Sequence, residues 1–141
     1  MAPNETIPRG RSDRDKSEKI TINIGLVDLG EIDVLVDEGF FANRTDFIRT
    51  AIRRQLESRS SAVDRTVARR ELTLGSQYYS RRDLEEVRAS GGMVQLRVLG
   101  LATIAADVSP ELALATIAAV EVLGAFRAPE AVKAALAQRT V

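Results

Sequence analysis

Between residues 19 and 25 apolar and polar side chains alternate without a break. Ile20, Ile22 and Ile24 fall on one side, Lys19, Thr21 and Asn23 on the other. A period of two built on β-branched residues predicts a half-buried strand. The period then changes. Leu29, Ile32 and Val36 form a helical stripe with Leu35 beside it, and Asp28, Glu31, Asp33 and Asp37 lie outside it. Gly39 stands where a glycine commonly follows a helix C-terminus. A second stripe runs through Phe47, Ile48, Ala51, Ile52, Gln55 and Leu56, with Arg49, Arg53 and Arg54 facing outward. Asn43 followed three residues later by Asp46 reads as its N-cap, with Thr45 as the competing cap.

A strand, a helix, a turn and a helix within residues 18–58 are too little chain to bury their apolar faces alone. A single strand also has no stable partner in water. The expected partner is the same strand of a second copy, giving a two-stranded antiparallel ribbon across a two-fold axis. The order and spacing of these elements, and the opening "NRTDFIRTAI" of the second helix, resemble the ribbon-helix-helix family (the MetJ/Arc/CopG class). That resemblance implies an intertwined homodimer whose core contains Ile20, Ile22, Ile24, Ile32, Val36, Phe47, Ile48 and Ile52.

It also implies that Lys19, Thr21 and Asn23 enter the major groove of double-stranded DNA and contact base edges. The side chains suit this: Asn pairs bidentately with adenine, Lys donates to guanine acceptors, and Thr offers a hydroxyl or a methyl contact. Asn43, Arg44 and Thr45 at the start of the second helix, with Arg49, would hold the phosphates, aided by unpaired N–H groups and the positive end of the helix dipole. The activity implied is transcriptional regulation, most often repression, in a bacterium or phage.

The second half repeats itself. "ELTLG", "LRVLG" and "VEVLG" end at Gly75, Gly100 and Gly124, which are 25 and 24 residues apart. Each is followed by a helix signal, in "SRRDLEEV", "SPELALATI" and "APEAVKAAL"; Ser80 with Asp83 forms a capping box, Ser109 a cap, and Pro110 and Pro129 first turns. Three strand–glycine–helix units predict a small solenoid of parallel strands over residues 71–141, each strand ending at its glycine. The plan loosely resembles leucine-rich repeats without their asparagine ladder; an ordinary small α/β domain is the alternative. Residues 59–70 read as a helical linker. The fold class expected is therefore α+β: a ribbon-helix-helix domain followed by a small α/β repeat domain that serves oligomerisation or partner binding.

Composition narrows the function. The 141 residues contain no histidine and no cysteine, which removes the commonest general base, the thiol nucleophile and the favoured metal ligands. No enzyme activity, cofactor or metal is expected. Twenty basic residues balance twenty acidic ones, so DNA binding requires local clustering, with the acidic first helix turned away from the ribbon. The polar stretch 1–17 reads as a flexible arm. No apolar run is long enough to cross a bilayer, and a cytoplasmic, nucleoid-associated protein is expected. Two other functions fit the same pattern: the antitoxin of a toxin–antitoxin pair, and a polymerising structural or DNA-organising protein driven by the repeats.

Overall fold

The computed structural model describes residues 16–141, so the expected arm over 1–17 falls outside the described residues up to residue 15. The chain forms two compact units: one is Lys19–Thr66, the other Val67–Val141 together with the described residues 16–18.

In the first unit, helix α1 (Leu26–Asp37) is followed by helix α2 (Arg44–Ser58). The end of α1 is built by Gly39, whose φ of 84° lets the chain turn left-handed. Its N–H donates to the Val36 carbonyl and that of Phe40 to Leu35, both at 3.0 Å, which is the paired arrangement of a Schellman cap. Asn43 caps α2, its Oδ1 accepting the Asp46 N–H at 2.8 Å. The Asp46 carboxylate does not return to the Asn43 N–H, as a capping box would have it; it takes the N–H of Ala42 at 3.0 Å. Phe41 sets its ring edge-on to Phe47 at 5.0 Å and closes the entry to the helix in the manner of a hydrophobic staple. Thr45 is the second residue of the helix, not its cap.

Residues 19–25, expected to be a strand, are not one in the single chain. A strand is defined by its ladder, and among the described residues no second strand lies beside this segment.

Helix α3 (Ser60–Arg70) begins after Arg59 interrupts α2 and ends the connection to the second unit. Its termination repeats the bonding of α1: Glu71 N–H donates to Ala68 and Leu72 N–H to Val67. Here, however, the left-handed position is filled by Glu71, at φ 52°.

The second unit runs β1 (Thr73–Tyr79), α4 (Arg81–Ala89), β2 (Val94–Ile104), α5 (Pro110–Thr116), β3 (Ile117–Arg127) and α6 (Glu130–Leu136), with a closing 3-10 turn at Ala137–Arg139. The strands form one sheet in the order β1-β2-β3, all parallel. Alternate residues of β2, namely Leu96, Val98, Ala102 and Ile104, are buried, and Leu96 and Ile104 cluster with Leu84 of α4, Leu112 of α5 and Val132 and Leu136 of α6. This is the core, lying between one face of the sheet and the helices. The local signals behind the helices are present as hydrogen bonds. Ser80 and Asp83 exchange both bonds of a capping box at 3.1 Å, and Ser109 accepts the Leu112 N–H at 3.2 Å with Pro110 in the first turn. Pro129 is the cap residue of α6 and not part of its first turn. Arg139 donates to the carbonyls of Leu114 and Ile117, each at 2.7 Å, and ties the chain end to the α5–β3 junction.

The placement of the glycines corrects the expectation that each ends its strand. Gly75, Gly100 and Gly124 lie inside their strands and opposite one another in register. All three have left-handed φ, at 111°, 137° and 125°. A Cβ on Gly100 would sit 2.3 Å from the Gly75 carbonyl oxygen, and one on Gly124 would sit 2.1 Å from that of Gly100. Gly100 and Gly124 are there because each receives the backbone of the preceding strand. The repeat length is thus the distance along the chain from one such close approach to the next.

Candidate nucleic-acid interface

The residues expected to contact bases, Lys19, Thr21 and Asn23, are all exposed. The apolar residues between them are scarcely better covered: Ile20 is 73% and Ile22 60% exposed, and Ile24 is half-buried. Of the expected dimer core, Ile32 is buried, Val36, Phe47 and Ile48 are half-buried, and Ile52 is 47% exposed. The single chain therefore leaves apolar side chains uncovered both in residues 20–24 and on α2. Leu56, one turn beyond Ile52, is another.

The expected phosphate contacts sit at the start of α2 and on its outer side. Among the described residues none accepts from the N–H groups of Arg44 or Thr45, which remain available at the positive end of a 15-residue helix. The Asn43 Oδ1 is occupied by its cap bond, which leaves the side-chain amide N–H groups to donate to a ligand. Arg49 is exposed.

Arg44 is placed differently from expectation. Its Nε donates to Asp33 Oδ1 at 2.7 Å and its Nη2 to Oδ2 at 2.8 Å, a two-pronged pair with α1. The acidic first helix is therefore not wholly turned away from the basic side chains of α2. The hydrogen bond from Arg44 holds the Asp33 carboxyl below the usual carboxylate range, and the same bond raises Arg44 above its ordinary value. Both groups are exposed, so the pair adds little to stability. Its effect is geometric: the guanidinium is held in one orientation, with Nη1 unengaged among the described residues. Asp33 was not legible as part of this site. It lies eleven residues before Arg44, outside the three- and four-residue spacings by which helix ion pairs are read.

This geometry defines a small helix-pair module with an apolar surface to cover and a polar strip and helix start suited to nucleic acid. The chain belongs to the ribbon-helix-helix transcriptional regulator family, whose model matches residues 15–133. It is thus a regulator of the DNA-binding kind, and the match extends through the second unit into α6, so the βα half is part of what the family shares. No curated protein and no solved structure matches the chain. No helix among the described residues is long and apolar enough to cross a membrane.

Proposed function

We propose that the chain acts as a homodimeric, sequence-specific repressor whose two copies of residues 19–25 pair into an antiparallel ribbon in the major groove. The observation that supports this most is the exposure of Ile20 and Ile22, at 73% and 60%, on a segment that alternates strictly with Lys19, Thr21 and Asn23. Apolar side chains at alternate positions on an unpaired segment are covered when the segment becomes one half of a ribbon and its isoleucines turn onto the helices. Burying both isoleucines in each copy contributes on the order of 1.5–3 kcal/mol per side chain. The three polar residues are then all on the opposite face.

In this reading Asn23, Thr21 and Lys19 read base edges, while the Arg44 and Thr45 N–H groups and the Arg44 and Arg49 side chains hold phosphates. The ordered second unit argues against an antitoxin tail, which commonly stays unfolded until it meets its toxin. The test is selection of bound duplexes from a random pool at two salt concentrations. An enriched inverted-repeat consensus with salt-sensitive affinity is expected; absence of binding at low salt refutes the proposal. Asn23→Ala is expected to relax the consensus while the dimer persists. Arg44→Ala is expected to weaken binding to every sequence and to flatten its salt dependence.

A further inference from the structure

The repeat unit leaves both sides of its sheet open to strand pairing among the described residues: nothing pairs with β1 except β2, and besides β2 only the chain end bridges β3. That chain end is short. Thr140 bridges Val120, and the Val141 N–H donates to the Val120 carbonyl at 2.9 Å, so it covers the beginning of β3 and stops there.

Three features of these two edges fit each other. The first is conformation. Gly100 and Gly124 hold left-handed φ because a preceding strand's carbonyl lies where a Cβ would be, yet Gly75 holds φ 111° on an edge strand with no described strand before it. The second is sequence. Leu74-Gly75, Leu99-Gly100 and Leu123-Gly124 stand in one register across the sheet, so the step from β3 to a further β1 repeats the step from β1 to β2. The third is length. With Gly124 opposite Gly75 of another copy, residues 73–78 of β1 lie along β3 from Val122 to Arg127, clear of the bridge at Val120. The one side chain pairing near the far end, Arg127 with Glu18 at 3.3 Å, is an exposed ion pair and weak.

We propose that the second unit is a head-to-tail assembly module, in which β3 of one copy pairs in parallel with β1 of the next and the glycine row runs on from copy to copy. The occupant of each edge is a second copy of this chain. Such a contact joins two different surfaces and does not close on itself, so it strings copies into an extended array. This goes beyond the DNA-binding reading and needs no DNA.

Because the chain has no cysteine, the register can be tested directly. Ser76 and Ala125 both lie opposite Leu101, one strand to either side of it. Within one chain they are roughly 10 Å apart, two strand spacings, beyond the limit of about 7 Å for a disulfide. Across the proposed contact they are direct neighbours, roughly 4.8 Å apart. The full-length double variant Ser76→Cys/Ala125→Cys, mildly oxidised without DNA, is expected to give a ladder of covalent multimers on a denaturing gel that collapses on reduction. Each single variant is expected to stop at two chains. In parallel, the sedimentation coefficient of the unmodified protein is expected to rise with concentration beyond that of a dimer. A single size at every concentration overturns the proposal. So does growth without the ladder, which assigns assembly to another surface, and a ladder without growth, which reduces it to chance collision.

Discussion

Gly100→Ala tests the feature on which the repeat unit depends. The added methyl would lie 2.3 Å from the Gly75 carbonyl oxygen, and the backbone would still need φ 137°. The obstacle is main chain, so no side chain can rotate out of the way. Either Gly100 leaves its left-handed conformation or β1 moves outward by about 1 Å, a normal carbon–oxygen contact being more than 3 Å. Holding an ordinary residue at such a φ costs roughly 1–3 kcal/mol. Displacing β1 weakens several ladder hydrogen bonds of about 1 kcal/mol each. The sum is about 3–5 kcal/mol, a large part of the 5–15 kcal/mol that typically holds a domain together. Gly91→Ala is the internal control. Gly91 also has positive φ, at 73°, but nothing lies within 4 Å of its added Cβ, so it should cost about 1 kcal/mol. Urea unfolding followed by tyrosine fluorescence suits the question, because the protein has no tryptophan and its two tyrosines, Tyr78 and Tyr79, both lie in β1. Agreement of the two variants to within about 0.5 kcal/mol, with equal m-values, would refute the account of the glycine row.

Other expectations concern the first unit and the junction. Asp33→Asn removes a negative charge from beside Arg44, and is expected to tighten DNA binding at low salt and steepen its salt dependence; weaker binding would show instead that the carboxylate's positioning of Arg44 matters more. The lowered Asp33 carboxyl places its stabilising contribution above the usual carboxylate range, and the contribution is lost as pH falls through the lowered folded value. Carboxyl chemical shifts should therefore show Asp33 titrating below the usual carboxylate range and returning to it in Arg44→Ala. Glu71→Gly relieves a left-handed φ of 52° at the end of α3, and is expected to raise stability by up to about 1 kcal/mol. A melting temperature lower than the parent's would contradict that.

Signals that act over three to five residues could be read in advance. The Asn43 cap, the helix end at Gly39, the Ser80–Asp83 capping box and the Ser109–Pro110 start are each satisfied by hydrogen bonds to the same short stretch of chain. The α+β class followed from the change of period at residue 25 and from the return of strand-like segments after residue 70. What those signals lack is any information about distant backbone. Gly75, Gly100 and Gly124 announced a repeat, but a spacing alone does not distinguish a glycine that ends a strand from one that admits a neighbour's carbonyl into its middle. Only the packed sheet distinguishes them. The Arg44–Asp33 pair likewise exists because the turn after Gly39 folds α2 back beside α1. For residues 19–25 even one folded chain is too little. Their alternation defines two faces, but a strand requires a ladder, and among the described residues of one chain nothing supplies it.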